Sequence, residues 1–387
     1  AGHPPRSQSS GHASPTSPGA QPGGGGLAAR RKKMSLQVNT TLDPRKVVIK
    51  QLKDAQDNGG GHRTILAVDD FAKIYRIGGE VMPSVHRGME VRFATKVDDG
   101  SQAVVKTRAK AVSFASAKEE AEWRQSTEFT MNLPKSSNIA EIHGVWEDKE
   151  MYYVVMERVG GSDLFELLDA EGQLPIYDVK VILRQLLDGV AALHEKGCIH
   201  KDLKLENIMV DRSSVGSDRS ATPKKTGSFS AEPVVKIIDF DTVESWEPSS
   251  PKAKTVLGTD QYISQEAYAG KYSPASDIFA LGVVAYRLLT GCFPFNAKMF
   301  DDEAGENWVG SPKMRQIQDR VRRFHVDWTL PPFPTEHHAL DLCRRMLAPS
   351  DQDRPQAEVA LQHPFLAEVL SPKATPKKRT SSFNKWG

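Results

Sequence analysis

The sequence predicts an α+β chain of two unequal lobes. A small N-terminal lobe holds an antiparallel β-sheet and one helix, and a larger C-terminal lobe is mainly helical. Three observations predict it. Short β-prone segments separated by turn residues come first, at Ala72–Ile77, Met89–Lys96 and Ala103–Thr107. Apolar residues then recur every three to four positions through Val179, Ile182, Leu183, Leu186, Val190 and Leu193, the buried face of a helix. Strands grouped before helices, rather than alternating with them, favour α+β over a parallel α/β sheet.

Length and composition set the frame. At roughly 100–200 residues per domain, 387 residues amount to about two lobes plus unstructured sequence. Apolar residues make up 39% and charged residues 26%, enough to build a core and to exclude global disorder. Lys+Arg number 51 against 49 Asp+Glu, so no excess positive field exists to neutralise a phosphate backbone, and no nucleic-acid partner is expected. Cys198, Cys292 and Cys343 form no C-x-x-C pair, which argues against a zinc ribbon or a disulfide scaffold and for a reducing compartment. The longest near-apolar run, Ile278–Leu289, is shorter than the ~20 residues of a bilayer span and contains Arg287, so no membrane span is expected. Ala1 rather than Met stands first, which leaves a preceding segment, a targeting signal included, open.

In chain order, residues 1–64 read as a disordered region and linker. Within 1–26 there are seven Gly, five Pro and five Ser and no large apolar side chain, too little to offset a backbone ordering cost of roughly 1–2 kcal/mol per residue. The basic cluster Arg30-Arg31-Lys32-Lys33 reads as a solvated linker, with nuclear import or an anionic surface as the alternative. Localisation is therefore expected to be cytoplasmic, with the nucleus second. The folded domain is placed at 65–366, its lobes at 65–156 and 160–366. Gly78-Gly79 and Asp98-Asp99-Gly100 punctuate the strand meander. Lys118–Leu133 is a helix candidate and Tyr152–Met156 an apolar strand. Ser276–Leu289, apolar nearly all round, is expected to be buried on every side, and Ala339–Met346 is amphipathic. Residues 212–233, rich in Ser, Thr, Lys and Pro, read as a surface insertion, and 367–387 as a basic flexible tail.

The chemistry is concentrated in Ile199-His200-Lys201-Asp202-Leu203-Lys204-Leu205-Glu206-Asn207-Ile208-Met209, followed downstream by Lys236-Ile237-Ile238-Asp239-Phe240-Asp241. This pair resembles the H-R-D-L-x-x-x-N and D-F-G set of the eukaryotic protein kinase catalytic domain. Either half alone is a weak signal; in order and flanked by apolar strands they are a strong one. The resemblance extends over roughly Phe71 to Leu366 and implies the bilobal protein kinase fold, with ATP and Mg²⁺ bound between the lobes. Phosphoryl transfer asks for charge neutralisation on the phosphates and an in-line hydroxyl, with little covalent help. Asp202 is then expected to accept the hydroxyl proton and Lys204 to steady the transferring group. Asn207 and Asp239 would supply oxygen ligands to Mg²⁺.

Further matches follow the same resemblance. Ala103-Val104-Val105-Lys106 is similar to V-A-I-K, so Lys106 is expected on the α/β-phosphates, held by a helix glutamate. Glu128 is the first choice for that partner and Glu122 the alternative. Tyr153-Val154-Val155-Met156-Glu157-Arg158-Val159 resembles the hinge, with Met156 behind the adenine and the backbones of Glu157 and Val159 on its edge. Val85 and Met209 would sandwich the base with Ala103, plain core packing being the alternative for Val85 and Met209, and Asp163 sits where an acid meets the ribose or a basic substrate residue. Glu266 is expected to pair with Arg354, and Asp277 to brace the backbone of the catalytic loop.

Lys204 and Gly258-Thr259 resemble the serine/threonine type. Phrases such as Asp163-Leu164-Phe165 and Leu281-Gly282-Val283-Val284 are similar to the calcium/calmodulin-dependent and calcium-dependent kinase group. No D-x-[DN]-x-[DN]-G loop occurs, so no EF-hand is read in this chain. Three departures stand out. Aligned on Gly78 and Val85, the nucleotide loop carries Glu80 and Pro83 where the family has glycines, which adds like charge and removes an N–H donor near the phosphates. Asp241 replaces the D-F-G glycine, and Lys201 replaces the H-R-D arginine, a point charge in place of a bidentate fork. Thr255, three residues before Gly258, is the expected site for an activating kinase, its phosphate to be met by Lys201. Asp163 and Glu206 suggest protein substrates with basic residues before the acceptor, a preference that Arg287 weakens.

Two other classes compete. A pseudokinase scaffold would explain the eroded nucleotide loop, but it has no physical reason to keep Lys106, Asp202, Lys204, Asn207 and Asp239 together. A metal-binding or nucleic-acid protein has no ligand spacing or aromatic interleaving behind it.

Overall fold

The structure, a computed structural model, describes residues 62–82, 88–133, 135–212 and 232–367. The expectations for the N-terminal region up to 61, for the bulk of the 212–233 insertion (213–231) and for the tail from 368 onward lie outside the described residues.

Strands β1 (Leu66–Ala67), β2 (Tyr75–Met82), β3 (Met89–Lys96), β4 (Gln102–Ala109), β5 (Ile142–Glu147) and β6 (Met151–Glu157) form one sheet in the order β1-β5-β6-β4-β3-β2. The β2–β3–β4 meander is antiparallel as expected, and β6 continues it against both β4 and β5, while β1 joins parallel to β5. The first strand starts later than expected. Asp70 accepts a hydrogen bond from the Ala72 backbone at 3.1 Å and caps a single turn over Phe71–Lys73, which delays the extended chain to Tyr75. Alternation along β6 sends neighbouring tyrosines to opposite faces. Tyr153 stacks on Phe71 with ring centroids 4.0 Å apart, in a small core with Tyr75, Ala94, Val105 and Val155. Tyr152 meets Trp123 of the helix on the other face.

Between β4 and β5 lie α1 (Lys110–Ser113) and α2 (Ala117–Met131), the expected helix of the small lobe. Ser116 caps α2 by accepting from the Glu119 backbone at 3.2 Å, and Glu119 reaches back to the Ala115 N–H at 2.7 Å.

Beyond the sheet come β7 (Ser162–Asp163), α3 (Leu164–Glu171), α4 (Ile176–Glu195), β8 (Cys198–Ile199), β9 (Ile208–Asp211), β10 (Val234–Ile237) and β11 (Glu244–Ser245). The helices α5 (Pro274–Thr290), α6 (Pro312–Arg323), α7 (His337–Met346), α8 (Ala357–Leu361) and α9 (Pro364–Ala367) complete the larger lobe. The apolar stripe read from α4 is buried throughout. Helix α5 is buried nearly all round, as its composition requires. Ser273 and Ser276 cap its start reciprocally, and Gly291, at φ +73°, ends it. Two pairings position the site. Ile237 pairs with Ile208 in the antiparallel β9–β10 ribbon, which brings the segment after β10 beside the segment before β9. Glu244 pairs with Ile199, which closes the same region from below. Among the described residues, no helix is long and apolar enough to cross a membrane.

Candidate active site

The loop between β8 and β9 is held from beneath by Asp277, on the first turn of α5. Asp277 Oδ2 accepts from the His200 N–H at 2.8 Å and Oδ1 from the Lys201 N–H at 2.9 Å, with His194 Nε2 at 2.9 Å from Oδ2. Burial pushes this carboxyl up, but the His194 hydrogen bond and the surrounding imidazoles outweigh it and hold the group below the usual aspartate range. Asp277 thus braces the loop as expected. Its grip stabilises a left-handed Lys201 (φ +69°), a conformation a non-glycine residue adopts only under such constraint.

Above the brace, Asp202 is the hub of a buried polar cluster. Its Oδ2 accepts from Lys204 Nζ at 2.8 Å, and its Oδ1 accepts from the Thr259 hydroxyl at 2.7 Å, which itself accepts from Lys204 at 3.0 Å. Asn207 Nδ2 donates to the Asp202 carbonyl at 2.8 Å. Because that nitrogen is committed, the Asn207 side-chain oxygen is the atom left to meet a cation. Thr259 was not singled out by the sequence as a partner of Asp202. The signal was its place after Gly258, where a Cβ would stand 2.8 Å from the Lys201 carbonyl, so only glycine lets this segment close on the loop.

The Ile238 N–H donates to the Asn207 carbonyl at 2.9 Å, which sets Asp239 beside the loop. Asp239 is itself left-handed (φ +64°), and Lys106 Nζ lies 2.9 Å from its Oδ1. Desolvation pushes the Asp239 carboxyl up, and the Lys106 ammonium overrides it, holding the group below the usual aspartate range. Lys106 in turn is lowered by desolvation and raised more strongly by the two carboxylates of Asp239 and Asp241. Phe240 is buried, with its ring edge-on to His200 at 5.8 Å. Lys106 and Asp239 on one side and Asn207, Asp202 and Lys204 on the other are therefore brought together, joined through the backbone of Ile238.

The expected helix partner of Lys106 is not where the sequence put it. Glu128 Oε1 accepts from the Ile65 N–H at 3.1 Å, on the side of α2 that faces β1, and Glu122 lies 3.9 Å from Lys118. The helical period explains the error: Trp123, Thr127 and Thr130 line the cavity shared with Lys106, and Glu128 is rotated by about 100° or more from each of them. Lys106 instead has Asp241 Oδ2 at 2.9 Å.

Around this centre, Met156 lines the same cavity as Lys106, and Ala103 is buried opposite Glu157 at the end of the β4–β6 ladder. The Glu157 carboxylate is taken by Lys236 at 2.6 and 2.8 Å, and Val159 packs against the main core. Met209 pairs with Asp163 across β7–β9. Asp163 Oδ1 caps α3 by accepting from the Glu166 N–H at 2.8 Å, and burial raises its carboxyl. Gly78 lies on β2, its carbonyl accepting from Arg92 Nε at 3.0 Å, and Glu80 is exposed on the same edge strand. Val85 and Pro83 lie outside the described residues.

Two further expectations concern charge. Glu266 and Arg354 pair twice, at 2.7 and 2.9 Å, with the guanidinium also donating to the Ala348, Ala275 and Pro349 carbonyls. Burial pushes the Glu266 carboxyl up, and Arg354 more than reverses it. Lys201, expected to await a phosphate on Thr255, is already paired with Glu244 at 2.8 Å and lies over the Tyr272 ring at 5.5 Å. Thr255 is half-buried and bridged to Trp308 through the backbone.

Comparison with known proteins agrees with this geometry. The family model for the protein kinase domain matches residues 87–366. The chain is 29% identical over 304 residues to calcium-dependent protein kinase 17 of Arabidopsis thaliana, covering 78% of this chain and 51% of that protein. It is 30% identical over 313 residues to calcium-dependent protein kinase 2 of Oryza sativa subsp. japonica, covering 80% and 54% respectively. With calcium-dependent protein kinase 4 of Plasmodium falciparum the identity is 28% over 239 residues, covering 60% and 39%. The chain thus spans about half the length of the curated relatives it matches, or less. Matched over most of its length and carrying the linked Lys106, Asp202, Asn207 and Asp239 cluster, the chain belongs to the protein kinase family.

Proposed function

We propose that this protein is an ATP- and Mg²⁺-dependent serine/threonine protein kinase. The observation that carries the proposal is the convergence of these groups: Lys106 pairs with Asp239, the neighbouring Ile238 N–H ties that segment to the Asn207 carbonyl, and Asn207 and Lys204 both donate to Asp202. The acceptor hydroxyl oxygen bonds to the γ-phosphorus as the bond from that phosphorus to the β–γ bridging oxygen breaks. The hydroxyl proton passes to Asp202, and ADP leaves with the bond's electron pair. Lys204, already on Asp202, steadies the phosphoryl oxygens, and Lys106 meets the α/β-phosphates. The Asp239 carboxylate and the side-chain oxygen of Asn207 would hold Mg²⁺, a hard dication that takes oxygen ligands. When bound, Mg²⁺ neutralises phosphate charge. Met156, Glu157, Val159, Ala103 and Met209 would frame the base and Gly78 would approach the phosphates, while the contact expected of Val85 falls outside the described residues. The test is transfer of radiolabelled phosphate from ATP to a basic peptide by purified protein, against Asp202→Ala and Asp239→Ala. Signal in the wild type alone supports the proposal. Equal signals in all three mean a contaminating kinase and contradict it, and no signal in any leaves the scaffold reading.

Substrate choice and control extend the same proposal. Glu206 Oε2 is buried with no hydrogen-bond partner, and its charge is felt at Asp163, which suits a basic side chain before the acceptor. A peptide library with no basic enrichment contradicts that preference. An activating kinase acting on Thr255 remains the regulatory proposal. Because Glu244 already neutralises Lys201, the phosphate must compete for that lysine or find another base. Unchanged turnover in Thr255→Ala contradicts it.

A further inference from the structure

Lys106 needs a carboxylate that stays with it when Asp239 turns to a cation, and α2 does not supply one. The four acids of that helix are engaged elsewhere. Glu119 accepts from the Ala115 N–H at 2.7 Å, Glu120 from the Tyr152 hydroxyl at 2.6 Å, and Glu128 from the Ile65 N–H at 3.1 Å, while Glu122 lies 3.9 Å from Lys118. The helix surface turned to the cavity around Lys106 is Trp123, Ser126, Thr127 and Thr130, none of them ionisable to a carboxylate. The third residue of the Asp239-Phe240-Asp241 run fills the gap. Phe240 is buried, and the carboxylates of both its neighbours reach Lys106 Nζ at 2.9 Å.

Exposure separates their duties. The Lys106 side chain is 14% exposed, whereas those of Asp239 and Asp241 are 37% and 40% exposed, so the carboxylates line the open side of the crevice and the lysine sits behind them.

Resting on the kinase reading, we propose that Asp241 is the positioning residue of Lys106, a counter-ion supplied by the segment after β10 in place of a helix carboxylate. It keeps the ammonium aimed at the nucleotide when Asp239 is shared with a cation. The glycine of the family pattern could not do this, since it has no side chain. The substitution of that glycine and the lack of an acid on the cavity face of α2 are then two halves of one exchange.

The test compares wild type with Asp241→Asn, Asp241→Glu, Glu122→Gln, Glu128→Gln and the exchange Asp241→Gly with Thr127→Glu. Mg·ATP dissociation constants from calorimetry and initial rates of phosphate transfer are the readouts, with thermal melts to establish folding. Asp241→Asn is expected to weaken nucleotide binding and lower kcat/KM by on the order of tenfold to a hundredfold with a wild-type melt. Asp241→Glu should keep more of both than Asp241→Asn, and the exchange should recover part of the loss by returning a carboxylate from the helix side. Asp241→Asn matching the wild type, or Glu122→Gln or Glu128→Gln losing more than Asp241→Asn, overturns the assignment while leaving the kinase reading intact. A wild type that neither binds nucleotide nor transfers phosphate overturns both.

Discussion

Aiming a base demands more than one tether, and Asp202 has one on each oxygen: Lys204 on Oδ2 and Thr259 on Oδ1. Asp202→Asn keeps the shape and removes the proton acceptor, so kcat should fall by at least about a hundredfold while the KM for ATP stays nearly unchanged. Steady-state kinetics on a peptide checks this, and a parallel rise in KM would point to a binding role instead. Thr259→Val removes one tether and leaves the Asp202 carboxylate in place. Hydrogen bonds to charged groups being the stronger kind, kcat should drop on the order of tenfold with no change in the melt. At this scale the sequence was informative about side chains whose chemistry is unusual for their surroundings, such as the buried Asp202, Lys204 and Asn207. It was not informative about Asp241. An acid beside a metal-ligand candidate reads as lost flexibility until the 2.9 Å contact with Lys106 is seen.

Elements position these groups through buried ion pairs and caps. Removing one partner of the Glu266–Arg354 pair, as in Arg354→Leu, leaves an unpaired carboxylate and should cost about 3–5 kcal/mol in urea denaturation. The double change Glu266→Met with Arg354→Leu should recover most of that loss, and no recovery would assign the cost to packing of the guanidinium. Asp277 and Glu266 both have folded pKa values below their ordinary ones. Ordinary values are roughly 4 for Asp and Glu. Such groups contribute their full stability above that range and lose it as pH falls through the lower, folded values. Asp277→Asn should therefore be less stable than wild type at neutral pH, with the gap narrowing as pH falls below about 4. A gap independent of pH in a denaturation series would contradict the charge argument. Legibility at this scale followed periodicity. Helices α4 and α5 carry strong apolar patterns and were placed to within a few residues. In α6 only Met314, Ile317 and Val321 are buried, in a helix otherwise charged, and β5 is interrupted by Gly144, so neither element announced itself. The register of α2 failed for a related reason: its cavity face is Trp123 with Ser and Thr rather than an aliphatic row, so no stripe marks which side is inward.

For the whole molecule, two lobes meet at one crevice because Lys106 belongs to the sheet while Asp202, Asn207 and Asp239 belong to segments flanking β8, β9 and β10. Their separation along the chain made the constellation recognisable as ordered motifs, and folding closes the distance to hydrogen-bond length. The lobe order and the site's main residues were thus legible. The counter-ion of Lys106 and the partner of Lys201 were not, because each depends on a tertiary contact between charges that have many possible mates. The central claim is that these side chains converge on one Mg²⁺-bound triphosphate. It is tested most directly by a crystal structure of the protein with Mg²⁺ and a non-hydrolysable ATP analogue. The expected result has Lys106 on the α/β-phosphates and the cation held by Asp239 and Asn207. A nucleotide bound outside the crevice, or one whose cation touches neither residue, would contradict the account.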